Sequence, residues 1–318
     1  MNIFKLFVSY IISKFLRKNF HHGKPYSLSI EPTTSCNLGC LECPSGQKKF
    51  SRPTGKMNLE MLENIIQQSK KYLWYVTLYF QGEPLLNSNL TEMIGRLKRE
   101  KIIVGTSTNA HFLTRDNAKK IIRSKLDRLI ISLDGTKAES YEKYRIGGNY
   151  DLVVENIKHF LQERKLHKTA YPFVELQFIV FKHNEHQINE IKQLGKDWGV
   201  DKVSIKTAQI YDYEKGNPLI PTDEKYSRYK KVKEGTFVIK SKLPDSCKRM
   251  WSSAVVTWDG KVVPCCFDKD ASYQFGNIGE NSIENIWKSK EYNAFRKRIL
   301  DNRSSIEICK NCTEGMKI

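Results

Sequence analysis

Three cysteines near the start of the chain have the spacing of a loop that binds a metal or a metal cluster. They are Cys36, Cys40 and Cys43 in the stretch SIEPTTSCNLGCLECPSG, and no fourth cysteine lies close by. Three thiolates on a short loop can hold three corners of a [4Fe-4S] cube and leave the fourth iron without a protein ligand. An open metal position can bind a substrate or cofactor directly, as open zinc sites do. The spacing favours such a cluster, and a zinc site is the alternative.

A second set of cysteines occurs in the last quarter of the chain. Its members are Cys247, Cys265, Cys266, Cys309 and Cys312. Four thiolates can close a cluster, which then suits electron transfer, or they can form a structural zinc site. We find no cleavable secretory segment, so eight cysteines indicate a reducing, cytoplasmic location and ligand roles rather than disulfides.

The elements that must position these cysteines follow an alternating pattern. Between residues 25 and 210, β-like runs rich in Val and Ile alternate with amphipathic helical stretches. The runs are 28–31, 76–80, 103–107, 129–133, 174–180 and 203–206. Repeated βα units of this kind predict a parallel sheet with helices outside it. We therefore expect an α/β fold, a partial (βα)6 TIM-like barrel with a small C-terminal extension that consists of a β-hairpin and a helix.

Three units are predicted along the chain. Residues 1–24 form a basic amphipathic helix, residues 25–215 form the partial barrel, and residues 216–318 form a linker and a cluster-binding extension. The stretch after residue 210 is polar and rich in turn residues, which is typical of a linker. Further on, SSAVVTWDGKVVPCC predicts a β-hairpin that turns at Asp259 and Gly260.

Polar and small residues follow the predicted strands, where ligands of parallel α/β folds collect. The strand-end motifs are Gly82-Glu83-Pro84, Thr108-Asn109 and Ser132-Leu133-Asp134-Gly135, and Gln177 and Lys206 follow at the last two strands. Each motif alone is an ordinary turn sequence. Their occurrence together, at successive strand ends, indicates one shared site.

The CxxxCxxC loop just after the first strand of a βα-repeat domain resembles the radical S-adenosylmethionine (SAM) superfamily, and the similarity covers most of the chain. The resemblance implies that Cys36, Cys40 and Cys43 ligate a [4Fe-4S] cluster whose open iron chelates SAM. An electron from the reduced cluster then cleaves SAM, and the 5'-deoxyadenosyl radical takes a hydrogen from substrate. The implied SAM contacts are Gly82, Glu83, Pro84, Thr108, Asn109, Ser132, Asp134 and Arg145.

Three positions depart from the pattern of the family. Gln81 stands where the first glycine of the GGEP motif usually is, and Ala110 replaces the glycine of TNG. Glu42 stands where an aromatic residue often packs near the adenine. The resemblance therefore implies nothing about how this loop holds adenine.

The later cysteines resemble the shortened SPASM extension, called twitch, in which four cysteines hold one auxiliary [4Fe-4S] cluster. The flanking GNIGENSIENIWKSKEYNAFRKRI supports this resemblance. It implies Cys247, Cys265, Cys309 and Cys312 as ligands, with Cys266 as a competitor of Cys265. A structural zinc site remains the alternative for this set.

The resemblance implies a radical SAM oxidoreductase, because a substrate radical beside an electron acceptor can lose an electron and a proton. The cysteine layout resembles that of twitch-containing dehydrogenases that oxidise a secondary alcohol of an aminocyclitol. A flavodoxin or ferredoxin would supply electrons, and the substrate is an unidentified small molecule, sugar, lipid-linked group or peptide. Two alternatives stay open: a maturase that modifies a ribosomally made peptide or protein, and a zinc-binding scaffold protein without catalysis.

Charge and the first twenty residues suggest further partners. The net charge of +18 attracts acidic molecules. The lysines are spread along the chain and no nucleic-acid motif is found, so we expect no specific nucleic-acid binding. Residues 1–20 are too interrupted by charge to span a membrane. Their apolar stripe predicts a helix that either lies on the inner face of an anionic membrane or caps one end of the main domain. The stripe residues are Phe4, Phe7, Val8, Ile11 and Phe15.

Overall fold

Six parallel strands form the centre of residues 1–313, the part of the chain that the computed structural model describes. These six are β1 (Ser27–Ile30), β2 (Tyr75–Thr77), β3 (Ile103–Thr108), β4 (Arg128–Ser132), β5 (Phe173–Val180) and β6 (Lys202–Thr207). Four further strands bring the number in the described residues to ten: β7 (Tyr229–Lys233), β8 (Thr236–Ile239), β9 (Ser253–Val256) and β10 (Val262–Val263). Eight of them form a sheet in the order β10-β9-β1-β2-β3-β4-β5-β6, and β7 pairs with β8. The large sheet is not closed, which confirms the predicted α/β fold with a partial barrel.

The α-helices within residues 1–313 are α1 (Asn2–Leu16), α2 (Pro44–Gln47), α3 (Leu59–Ser69), α4 (Leu90–Arg99), α5 (Arg115–Arg123), α6 (Ala138–Tyr144), α7 (Tyr150–Leu166), α8 (Ile188–Trp198), α9 (Ile283–Trp287) and α10 (Lys290–Asn302). Helices α2 to α8 lie between successive parallel strands, whereas α1 precedes β1 and α9 and α10 follow β10. α3 illustrates why they form. The Asn58 side chain caps the Met61 amide, and Leu62, Ile65 and Ile66 recur at helical spacing and are buried.

The two faces of the sheet differ because side chains alternate along each strand. In β1, Leu28 and Ile30 are fully buried in the core. Ser27 and Ser29 instead line an internal cavity, together with Tyr75 of the neighbouring strand. The outer face therefore builds the apolar core, and the inner face is polar and available to a ligand.

The predicted C-terminal hairpin is present, and it belongs to the main sheet. β9 and β10 are antiparallel and connect through Gly260, whose φ is +84°. β9 also pairs in parallel with β1, so that Ser27 lies between Tyr75 and Ser253. A strand at the end of a six-stranded sheet has unpaired backbone groups. By pairing with β1, β9 provides hydrogen-bond partners for the backbone groups on that edge.

The linker prediction after residue 210 is wrong for residues 229–239, which form the β7–β8 hairpin. Its turn contains Gly235, with φ of +66°. The Glu-Gly pair in KKVKEGTFVI, followed by a short run of Thr, Phe, Val and Ile, is the turn signal that could have predicted it. Tyr229 anchors the hairpin, because its buried hydroxyl accepts a hydrogen bond from the Ile210 amide at 2.8 Å.

Candidate functional site

The first three cysteines lie on the loop that leaves β1. Cys40 is buried, whereas Cys36 and Cys43 are half-buried. The Gly39 amide donates to the Ile146 carbonyl at 2.8 Å, and Cys43 is the residue immediately before the short helix α2. Burial raises the pKa of Cys36 to about 11 and that of Cys40 to about 12. These thiols therefore become thiolates only when a metal centre stabilises the charge.

Glu83 follows β2 and forms hydrogen bonds with residues at the end of β3, beside this loop. Its fully desolvated carboxylate accepts hydrogen bonds from the Thr108 hydroxyl at 2.8 Å and from the Asn109 amide at 2.7 Å. Burial raises the pKa of Glu83, while these hydrogen bonds oppose the rise. The Asn109 side chain in turn donates to Asn37 Oδ1 at 2.8 Å. The predicted GEP and TN motifs are thus brought together, and Asn37 is a neighbour that the sequence did not single out.

Gly82 allows this loop to approach the cysteine loop closely. Its φ is +73°, and a Cβ atom at this position would lie 2.4 Å from the Thr33 carbonyl oxygen and 2.7 Å from that of Ser35. The adjacent Glu83 amide donates to the Ser35 carbonyl at 2.8 Å. Only glycine fits this contact without displacing backbone.

Asp134 and Arg145 form a buried pair at the end of β4. Asp134 Oδ2 accepts from Arg145 Nε at 2.8 Å and Nη2 at 2.6 Å, and Oδ1 accepts from the Ile179 amide at 2.7 Å. Burial alone would lower the pKa of Arg145, but Asp134 and the Cys40 thiol raise it above its usual value. The guanidinium implied for the SAM carboxylate is therefore already paired with a carboxylate of the protein. Ser132 lies half-buried at the same strand end.

Four of the five later cysteines lie together, and Cys266 lies apart from them. Cys247, Cys265, Cys309 and Cys312 line one small apolar cavity. Cys266 lines the internal cavity of the sheet instead and packs against Phe80. Arg303 Nη2 lies 3.3 Å from Cys312 Sγ, so a cation adjoins the four thiols. The four thiols fit a closed cluster, and a donor at a cluster sulfur tunes its potential.

Within residues 1–313, no three Cys, His, Asp or Glu side chains converge tightly enough to hold a single metal ion. A cubane distributes its thiolate ligands over different irons and does not require such convergence.

Two adjoining cavities extend between the cysteine sets. One of about 460 Å³ is lined by Cys43 and Gly82, and the other of about 340 Å³ is lined by Cys265. Both are lined by Gln177 and Lys206. Gln177 and Lys206, the polar residues predicted at the last two strand ends, therefore lie where a molecule between the cysteine sets would be.

The charged residues that line the larger of these two cavities are mainly cationic. Lys206, Arg228 and Lys269 line it, and Glu42 is the one carboxylate among its lining residues in the described part of the chain. Glu42 Oε2 accepts from the Tyr211 amide at 3.0 Å. This bond gives Glu42 a role that the sequence did not explain: it joins the first cysteine loop to the segment after β6. An anionic group that entered this cavity would meet excess positive charge.

Comparison with known proteins assigns the family. A model described as the radical SAM superfamily matches residues 30–195, just over half of the chain. The chain belongs to the radical SAM superfamily. A second model, SPASM, described as an iron-sulfur cluster-binding domain, matches residues 247–313. This radical SAM enzyme therefore uses SAM and [4Fe-4S] clusters, and the zinc alternatives receive no support.

Relatives agree with this assignment. A protein of Pyrococcus furiosus named tungsten-containing aldehyde ferredoxin oxidoreductase cofactor-modifying protein is 25% identical over 296 aligned positions, and the alignment covers 85% of this chain and 82% of that protein. SuiB of Streptococcus suis bound to S-adenosylmethionine matches with a TM-score of 0.66 and 16% identity, over 92% of this chain and 73% of SuiB. BtrN in complex with AdoMet and 2-DOIA matches with a TM-score of 0.55 and 21% identity, over 91% and 92%. The solved structures share the radical SAM fold.

Some residues of the radical SAM site carried no usable sequence signal. Arg228 and Arg303 lie in stretches without a motif, and only the three-dimensional structure brings them to the cavities. Lys269 follows Cys265 by four residues, and that proximity was the one signal for it.

Proposed function

We propose that this chain is a radical SAM oxidoreductase with two [4Fe-4S] clusters. Cys36, Cys40 and Cys43 hold the cluster that binds SAM. A second cluster is held by Cys247, Cys265, Cys309 and Cys312. Cys265 rather than Cys266 is the ligand in this proposal, because its side chain shares the cavity of the other three.

The strand ends hold SAM in this proposal. The residues are Gly82, Glu83, Pro84, Thr108, Asn109, Ser132, Asp134 and Arg145. Glu83 fixes Thr108 and Asn109 through the hydrogen bonds described above. Since Arg145 is engaged by Asp134, the SAM carboxylate would share this guanidinium with Asp134.

The proposed net reaction removes two electrons from substrate. Reduced by a flavodoxin or ferredoxin, the cluster held by Cys36, Cys40 and Cys43 would supply the electron that cleaves SAM to methionine and a 5'-deoxyadenosyl radical. That radical would take a hydrogen atom from a substrate C–H bond. The substrate radical would lose a proton to a base and an electron to the cluster held by the four later cysteines, so that an alcohol becomes a carbonyl. Before the next turnover this electron would pass back to the SAM-binding cluster or to the flavodoxin or ferredoxin.

One observation carries the proposal: the cavities beside the first cysteine loop and beside Cys265 share Gln177, Lys206 and Phe80. A substrate in this shared space would adjoin both the site where hydrogen is taken and the site that accepts the electron. A cluster with four cysteine ligands has no open iron, so electron transfer is the chemistry that suits it.

The test compares the wild type with Cys309→Ser after reconstitution under anaerobic conditions. Reduced protein, SAM and a small-molecule extract of the source cells are mixed, and 5'-deoxyadenosine and oxidised products are measured. We expect Cys309→Ser to keep SAM cleavage and lose the oxidised product, because the electron acceptor is missing. An oxidised product formed equally well by Cys309→Ser would overturn the electron-acceptor role.

A second candidate function is the modification of a peptide, protein or cofactor. The name of the Pyrococcus furiosus relative favours it, since that protein is described as cofactor-modifying. The two candidates differ in which cell fraction stimulates 5'-deoxyadenosine release. Stimulation by the protein and peptide fraction alone would support the maturase, and stimulation by small molecules together with a carbonyl product supports the dehydrogenase.

A further inference from the structure

The N-terminal helix α1 turns its polar side toward the protein. Asn2 exchanges two hydrogen bonds with the backbone of Lys24, at 2.8 and 2.9 Å. Ser13 does the same with Phe20, at 2.8 and 2.9 Å. Between them, Ser9 donates to the His22 carbonyl at 3.3 Å and accepts from its amide at 3.0 Å.

These bonds fix the rotation of the helix about its axis. At 100° per residue, Asn2, Ser9 and Ser13 lie within an arc of about 40°. The segment 20–24 runs along this arc, and Trp251 secures it by donating to the Phe20 carbonyl at 2.9 Å. Leu6 is buried on the same side. The helix therefore packs on the main body through its polar side.

The apolar stripe consequently faces away from the protein. Phe4, Phe7 and Phe15 are 70%, 53% and 76% exposed. Val8 and Ile11, which complete the stripe, are half-buried. A helix that merely covers a domain buries its apolar stripe and exposes its polar side. α1 has the reverse arrangement, and exposed apolar patches of this kind mark interaction surfaces.

The charges around the stripe identify the partner. Lys5, Lys14 and Lys18 are exposed beside it, while Arg17 pairs with Asp245 at 3.2 Å. The first thirty residues contain no Asp or Glu. A second copy of the chain would bring these lysines against one another, which disfavours dimerisation through α1. Phosphate headgroups above an apolar layer complement both the lysines and the phenylalanines.

We propose that α1 docks the enzyme on an anionic lipid bilayer. Phe4, Phe7 and Phe15 enter the boundary between headgroups and acyl chains, and Lys5 and Lys14 contact lipid phosphates. Within residues 1–313, no helix is long and apolar enough to cross a bilayer, so α1 lies in the plane of the surface. This proposal is independent of the reaction that the enzyme catalyses.

The test is flotation of the full chain with vesicles. Vesicles of phosphatidylcholine with phosphatidylglycerol are compared with vesicles of phosphatidylcholine alone. We expect the wild type to float with the anionic vesicles only. The triple variant Phe4→Ser, Phe7→Ser and Phe15→Ser should lose binding by at least 10-fold. The variant Lys5→Gln, Lys14→Gln and Lys18→Gln should lose it by about 100-fold, since each lysine contributes about fivefold.

Matched controls separate a local surface from general attraction. Lys230→Gln, Lys231→Gln and Lys233→Gln remove the same charge from the exposed strand β7 and should leave flotation unchanged. Leu166→Ser changes an apolar side chain that is 65% exposed elsewhere and should also have no effect. Circular dichroism confirms that each variant is folded.

Failure of folded wild type to float with anionic vesicles, or a loss of flotation in the β7 variant equal to that in the α1 lysine variant, overturns the proposal. Dimerisation that the phenylalanine variant abolishes would assign the stripe to a second copy instead.

Discussion

A buried ion pair joins the first cysteine region to the auxiliary region, and its removal should destabilise the protein strongly. Arg52 binds Glu31 through two hydrogen bonds, of 2.8 and 2.6 Å. Their side chains are 4% and 0% exposed. Arg52 also donates to the Lys269 carbonyl at 3.1 Å, and Glu31 accepts from the Trp258 amide at 3.2 Å. One pair therefore contacts both parts of the chain.

Replacing Arg52 with Met leaves the Glu31 carboxylate buried without its cation. Burial already raises the pKa of Glu31, and Arg52 opposes that rise. Removing one partner of a buried pair costs about 3–5 kcal/mol of unfolding free energy. For a chain of this length, such a loss lowers the melting temperature by about 5–8 °C. The double variant Arg52→Met with Glu31→Gln should recover much of the loss, because a neutral amide keeps an acceptor for the Trp258 amide.

The measurement is a double-mutant cycle by thermal unfolding, with an exposed ion pair as control. Lys120 and Asp116 are 2.6 Å apart, and their side chains are 56% and 73% exposed. Lys120→Met should cost no more than about 0.5 kcal/mol. If Arg52→Met costs no more than Lys120→Met, the pair does not join the two regions as described.

Three further predictions address other parts of the molecule. Burial, with Arg296 nearby, lowers the pKa of His21 to about 3. The unfolded chain therefore binds more protons at this residue below pH 6.5, so His21 should contribute a loss of about 2 kcal/mol of stability between pH 7 and pH 5. His21→Phe should remove this contribution, measured as a smaller difference between the unfolding midpoints at the two pH values. Cys265→Ser should lower the iron content by about four atoms per chain, whereas Cys266→Ser should leave it unchanged; the reverse result would make Cys266 the ligand. Gly82→Ala should reduce both cluster content and 5'-deoxyadenosine release, since its Cβ would lie 2.4 Å from a backbone oxygen; wild-type values would contradict the close approach.

Local pattern was sufficient to predict the parallel strands. The run predicted at 103–107 is β3, Ile103–Thr108, and the run at 174–180 is β5, Phe173–Val180. These strands are buried and rich in Val and Ile, so their composition marks them without knowledge of their neighbours. The motifs at their ends were predictable for the same reason, because a strand end fixes where the next residues lie.

Contacts between distant parts of the chain could not be predicted in this way. The pairing of β9 with β1 joins residues more than two hundred positions apart, and no local pattern encodes it. The choice between Cys265 and Cys266 depends on which way two adjacent side chains point. The outward direction of the α1 stripe depends on hydrogen bonds from Ser9 and Ser13 to a separate segment.

The most direct test of the account is release of 5'-deoxyadenosine from SAM by the reconstituted, reduced protein. We expect the wild type to release 5'-deoxyadenosine and methionine only with a reductant. Cys40→Ala should release neither, because the SAM-binding cluster loses a ligand. Cys309→Ser should still release both. A wild-type protein that carries its clusters and binds SAM, yet releases no 5'-deoxyadenosine, would contradict the account.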